Sequence, residues 1–138
     1  MKLAADANVL LSAVIGGRAR LVLCHPTIEE ILTTATVFAE VEKYALELGK
    51  KKELAADTLM LAVASLPVSI VESRVYKSSI ARAKRQIGQR DPDDVELLAL
   101  ATHFKVPLWS NDRDFEGCGV EQITTAELLK KLGVESKR

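Results

Sequence analysis

The stretch VPLWSNDRDF, residues 106–115, carries the reading of the fold. Val106 to Trp109 is a short apolar run, suited to a strand buried on both faces of a sheet. Polarity then changes within one residue: Ser110, Asn111, Asp112, Arg113 and Asp114 follow before Phe115 closes the stretch. Two explanations compete. Asn, Asp and Ser serve turns because their side chains bond nearby backbone, so this is the ordinary way out of a strand. Alternatively, Asp112 and Asp114 stand at the carboxyl end of a parallel strand, where open α/β sheets place their ligands.

Other short apolar strands are expected at Lys2–Ala5, Glu30–Thr34, 68–71 and 122–124, each separated from the next by helical patterning. Helices are expected at 8–15 and 18–24, and Thr34 can cap a third whose apolar positions are Val37, Val41, Tyr44, Ala45 and Leu48. Gly49 and the lysines 50–52 read as its end. Further helices are expected at 54–64 and at 73–87, the latter with Val75, Ile80, Ala83 and Ile87 inward. Asp91 as N-cap and Pro92 at the first helical position open another, with Leu97, Leu98, Ala101 and Phe104 buried. Thr124 or Thr125 caps the last helix, and residues 135–138 are expected to fray. Strands alternating with helices predict an α/β fold with a central parallel sheet covered on both faces, in one domain spanning 1–134.

Composition narrows the function classes. The chain has 138 residues, 48% hydrophobic and 28% charged, a globular balance. Its 19 basic and 19 acidic residues cancel, so any nucleic-acid contact must come from local patches. Arg82, Lys84, Arg85 and Arg90 form one such patch, although basic residues of this kind usually form a solvated helix face. Cys24 and Cys118 lack metal-ligand spacing and read as free thiols of a reducing cytoplasm. No run reaches transmembrane length and no leader pattern opens the chain, so a cytoplasmic protein without membrane association is expected. His25 and His103 are too few for a zinc site, and VIGGRAR lacks the phosphate-loop lysine.

Most acids belong on exposed helix faces, but five fall differently. In a parallel sheet, Asp6 after the first strand and Asp112 and Asp114 after the fourth share one edge. A helix leading into a strand runs against it, so Asp94, in a helix first turn, lies there too. Glu40, about a turn and a half into its helix, can point the same way, whereas Glu42 faces elsewhere. Each has an ordinary explanation: Asp6 as a helix cap, Asp94 as a dipole complement, Glu40 as a solvated glutamate. Independent caps, however, have no reason to share one edge. Carboxylates gathered there repel one another, and a hard divalent cation with oxygen ligands relieves the repulsion. Mg²⁺ fits, and such an ion can ionise a bound water and stabilise a phosphoryl oxygen.

Four blocks, LAADANVLLSA, TATVFAEVEKYA, DDVELLALA and LWSNDRDF, resemble in order and spacing the motifs of PIN domains. That nuclease family includes the VapC-type toxins of toxin–antitoxin pairs. The resemblance implies a three-layer α/β/α sandwich and Mg²⁺- or Mn²⁺-dependent cleavage of RNA. It matches Asp6, Glu40, Asp94 and Asp112 to the metal-holding acids, with Asp94 rather than Asp93 selected by the register of Ala101. Asp114 is matched to an auxiliary position, and Ser110 and Asn8 to residues that orient the ligands. The partners it implies are single-stranded or structured RNA, an antitoxin, and a second copy in a homodimer. The segment 54–89 is long for a minimal toxin, which leaves an RNA-processing nuclease without an antitoxin as an alternative. A non-catalytic binding module is the other, and it should have lost one or more of the four acids.

Overall fold

In the computed structural model, residues 1–112 and 114–134 are described. Strands β1 (Lys2–Ala5), β2 (Glu30–Thr34), β3 (Ser69–Val71), β4 (Leu108–Trp109) and β5 (Gln122–Ile123) form one sheet in the order β3-β2-β1-β4-β5. Every pairing is parallel. The central strands β1 and β4 are buried on both faces, which is why they read as continuous apolar runs, whereas edge strand β3 leaves Ile70 48% exposed. Among the described residues, seven helices complete a three-layer α/β/α sandwich: α1 (Ala7–Val14), α2 (Ala19–Leu23), α3 (Ala35–Lys51), α4 (Ala56–Ala64), α5 (Ser73–Ile87), α6 (Val95–Phe104) and α7 (Thr125–Lys131). Helix α5 packs along α6, while α3 packs on α1 and α4.

Strand order determines where a cleft can form. The chain builds outward from β1 through β2 to β3, then returns to the other side of β1 with β4 and β5. The β1–β4 junction is thus the point where the winding reverses, and a crevice opens there at the carboxyl ends. Register sharpens this. Ala5 pairs with Trp109, so the next residues, Asp6 and Ser110, leave the sheet side by side. Thr33 Oγ1 donates to the Ala5 carbonyl at 3.0 Å and ties β2 to the same end.

The caps are side-chain bonds. Asp6 Oδ1 accepts from Val9 N at 3.0 Å, and Thr34 Oγ1 accepts from Val37 N at 2.9 Å. Thr124 and Glu127 form a reciprocal capping box on α7. Trp109 is fully buried at the heart of the core, and its indole Nε1 donates to Thr125 Oγ1 at 2.9 Å.

Several expectations are corrected. The inward face of α5 is Tyr76, Ile80, Ala83 and Ile87, a stripe that leaves Val75 outside with 41% exposure. One position along a helix is about 100°, enough to move a residue from core to solvent. Phe104 is 39% exposed, because α6 ends there and Lys105 turns the chain through a left-handed conformation at φ 55°. Gly49 does not stop α3, which runs on to Lys51. It is buried where α4 crosses close by, and a Cβ there would collide with Leu59 Cδ1. Asp91 precedes a single 3₁₀ turn, Pro92–Asp94, without capping it by its side chain, and α6 proper starts one residue after Asp94. The expected fraying of residues 135–138 lies outside the described residues. His103 is exposed and both cysteines are free, as expected. Among the described residues, no helix is long and apolar enough to cross a membrane.

Candidate active site

At the β1–β4 junction a cleft of about 320 Å³ opens. Asp6, Glu40, Asp94, Asp112 and Asp114 line it, together with Asn8, Asp91 and Asp93. Five separate segments deliver these groups: the end of β1, the start of α1, the second turn of α3, the turn before α6 and the loop after β4. Among the described residues lining the cleft, seven carboxylates face a single cation, Arg90. Glu42 is absent from this lining, two positions from Glu40 and off its face.

Local bonds explain how the loop after β4 is shaped. Ser110, fully buried, accepts from the Asp112 backbone amide at 3.3 Å and makes a side-chain hydrogen bond to Asp6. One hydroxyl therefore links both strand-end acids. Asp112 Oδ1 accepts from Asp114 N at 3.1 Å. The turn chemistry of SNDRDF is real, then, and it aims the acids rather than competing with them. Asn8 reaches the cleft wall, where its backbone amide is a hydrogen-bond donor toward Asp6.

Two further residues hold this loop: Gln122, outside the quoted motifs, and Asn111, inside them but read only as a turn residue. Gln122 Nε2, from β5, donates to the Ser110 carbonyl at 3.3 Å and to the Asp112 carbonyl. Asn111 Oδ1 accepts from Thr125 N at 2.8 Å, pinning the loop to α7. Neither contact is announced in sequence: β5 has two residues and a lone Gln carries no pattern, while Asn111 reads as an ordinary turn residue. Asp91 is a third omission. Its carboxylate, with those of Asp94 and Asp114, supplies oxygens all within 4.8 Å of one another. Arg90 closes this side, with Nε 3.5 Å from Asp91 Oδ2 and an Nη donating to the Asp114 carbonyl at 2.6 Å.

The electrostatics follow from crowding. Desolvation, then the charges of Asp91, Asp112, Asp6 and Asp114, push the Asp94 carboxyl up to about 7. Burial raises Asp6, opposed by the Ser110 and Val9 hydrogen bonds and reinforced by Asp112. Glu40 is raised by desolvation and by Asp93 and Asp6. Asp114 is raised by desolvation, Asp112 and Asp91. An all-oxygen donor set with uncompensated negative charge is the environment a hard divalent cation stabilises, so the residues present fit Mg²⁺ or Mn²⁺.

A carboxylate outside the cleft holds its two walls together. Glu96, in the first turn of α6, accepts from Thr36 Oγ1 of α3 at 3.0 Å through Oε2. Its Oε1 accepts from the buried Tyr76 hydroxyl of α5 at 2.6 Å. Thr36 is one turn before Glu40, and Glu96 is two residues after Asp94. Glu96→Ala is expected to cost about 1–3 kcal/mol, since the Tyr76 hydroxyl is left buried without its acceptor. It should also weaken metal binding about tenfold by loosening α3 against α6. Thermal melting and Mn²⁺ titration check both. Wild-type metal affinity in a destabilised Glu96→Ala protein would separate the clamp from the site.

A family model described as PIN domain matches residues 5–133. VapBC2 from Rickettsia felis, in a crystal structure bound to a DNA fragment from its promoter, superposes with a TM-score of 0.67 at 14% identity. That match covers 90% of this chain and 98% of the other. PAE2754 from Pyrobaculum aerophilum superposes with a TM-score of 0.71 at 14% identity, covering 98% of this chain and 97% of the other. No curated protein sequence matches the chain at a significant level. At such identities the structural likeness speaks to fold, and the family match speaks to descent.

Proposed function

The chain belongs to the PIN domain family, a family of nucleases, and on that premise we propose that it is a divalent-metal-dependent endoribonuclease. The observation that supports this reading is convergence. Acids from separate segments meet at the winding reversal of the sheet, and three of the four matched ones, Asp6, Glu40 and Asp94, have carboxyl groups raised by burial and mutual repulsion. Asp6, Glu40, Asp94 and Asp112 would hold Mg²⁺ or Mn²⁺, with Asp114 auxiliary. The ion, when bound, supplies an ionised water and charge stabilisation at the phosphoryl group. Asp94, its carboxyl pushed up to about 7 by burial and neighbouring carboxylates, would have to be ionised to serve as a ligand. Ser110 fixes the angle between Asp6 and Asp112, and Asn8 orients groups at the cleft wall. A non-catalytic relative has no need to keep all four acids, and this chain keeps them.

The substrate is RNA, single-stranded or presented in a structure, cut in the cytoplasm. The toxin role in a toxin–antitoxin pair, with an antitoxin as partner, is the biological setting favoured by the likeness to VapBC2. A homodimer is part of the same proposal: Leu61 of α4 is 69% exposed and Leu54, in the turn before α4, 48%, apolar side chains suited to a second copy.

The purified chain should cleave single-stranded RNA with Mg²⁺ or Mn²⁺ and lose that activity on chelation. Asp94→Asn should be inactive under both metals. Intact RNA after incubation of the wild-type chain with either metal would remove the nuclease reading.

A further inference from the structure

Beside the acidic cleft lies a larger groove of about 820 Å³ between α1 and α3. The two share Asn8 and Tyr44, so they form one continuous depression. The groove changes character along its length. Next to the cleft stands Tyr44, 37% exposed, with Lys43 Nζ 5.9 Å from its ring centroid. Leu11 and Leu48 form an apolar floor, Glu47 stands at one side, and Lys50 and Lys51 close the far end. Helix α3 sets the spacing. Glu40, Tyr44, Leu48 and Lys51 lie at i, i+4, i+8 and i+11, one face of the helix. The steps along its axis are about 6, 6 and 4.5 Å.

We propose that this groove is a nucleotide subsite: a flanking base of single-stranded RNA packs on Tyr44, and the phosphate beyond it meets Lys50 and Lys51. This rests on the reading of the acidic cleft as the place where a phosphodiester is held. Charge complementarity selects the occupant. A polyanion with one phosphate at the acidic end passes an aromatic and apolar floor and reaches two cations at the other. Single-stranded nucleic acid is bound by that combination of stacking platform and cationic track. An apolar helix or a second copy would fill the floor but would leave both lysines without a partner. A duplex offers no free base face to Tyr44.

The test reads binding rather than cleavage. A short fluorescein-labelled oligouridylate is titrated with the Asp112→Asn chain and Mn²⁺, and anisotropy is followed across a range of salt. Adding Tyr44→Ala should weaken binding about tenfold, in line with the loss of one stacked base. Tyr44→Phe should restore the affinity. Lys50→Glu with Lys51→Glu should weaken binding and lower the magnitude of the salt slope by about 0.7, one phosphate contact on a single strand. These side chains are exposed, and unchanged melting temperatures confirm that the variants fold. Equal affinity of Tyr44→Ala and its parent would overturn the subsite. So would equal binding of duplex RNA, or a homodimer that Tyr44→Ala dissociates. If wild-type protein cuts no RNA while binding still depends on Tyr44, the nuclease reading falls and the subsite stands. If wild-type protein cuts RNA while binding ignores Tyr44, the reverse holds.

Discussion

Asp112→Asn is expected to lower metal-dependent RNA cleavage by at least about 100-fold, since loss of a direct ligand should exceed the loss typical of outer groups. The fold should survive. The substitution separates two roles that the carboxylate plays at once. Asp112 Oδ1 accepts the Asp114 amide, and an asparagine Oδ1 can accept the same bond, so the turn is preserved. What disappears is the charge. Without metal that charge repels Asp6, Asp94 and Asp114, so its removal should leave the melting temperature unchanged or raise it. Asp114→Asn should have the smaller effect on cleavage, because the family resemblance matches it only to an auxiliary position. If SNDRDF served only as a turn, Asp112→Asn would cleave as wild type does. Melting without metal and cleavage with Mn²⁺, on both variants, check the ordering.

Metal binding and pH should act on stability in opposite directions, and Asp94 is the reason. Its carboxyl is held at about 7 in the folded protein against an ordinary 3.8. A folded acid with a raised value binds its proton more tightly than the unfolded chain does. The stabilisation is therefore complete below about 4 and is lost as pH rises to 7. The metal-free protein should accordingly melt lower at pH 8 than at pH 5.5. The contribution of Asp94 is about 2 kcal/mol after allowance for solvent screening at this half-buried position. Asp6 and Glu40 shift in the same direction and add to the trend. Metal should reverse it, since on the proposed function the ion would bind the ionised, folded cleft and not the unfolded chain. At a hundredfold excess over Kd the gain is about 2.7 kcal/mol, roughly 10 °C for a chain of this size. The gain should be largest above pH 7 and should shrink at pH 5.5, where Asp94 must first lose its proton. Asp94→Asn should flatten the metal-free pH dependence, and Asp6→Asn should lose most of the metal gain. Equal metal stabilisation of wild type and Asp6→Asn would remove Asp6 from the site.

The sheet was readable because burial on both faces leaves a mark on sequence. Short apolar or β-prone runs bounded by turn residues located the five strands of the described residues, although β4 covers only Leu108–Trp109 of the expected 106–109, and alternation with helices implied parallel pairing. The four matched acids were readable for a topological reason. Parallel strands share a carboxyl edge, so Asp6 and Asp112 had to emerge together once the sheet was parallel, and the pairing of Ala5 with Trp109 sets them beside each other. Other features depend on packing between distant segments, which a single sequence does not encode. Tyr76 lies on the inward stripe of α5 because Glu96 of α6 accepts its hydroxyl, and nothing near Tyr76 announces that partner. Gly49 reads as a helix stop and is instead the place where α4 comes close. Asp91 reads as a cap, yet its carboxylate joins Asp94 and Asp114 in the tightest oxygen cluster among the described residues. That last difference bears on chemistry. The matched set centres the ion on the strand ends, whereas the cluster lies toward Arg90.

Anomalous diffraction from crystals soaked in Mn²⁺ decides between these positions and tests the proposed metal centre directly. The expected result is a peak bounded by Asp6, Asp94 and Asp112, with carboxylate oxygens at about 2.1 Å and Glu40 reached directly or through water. Asp91 would then remain paired with Arg90. A peak held by Asp91, Asp94 and Asp114 alone, or none in this cleft at saturating Mn²⁺, would contradict the assignment of the strand-end acids as the metal-holding centre.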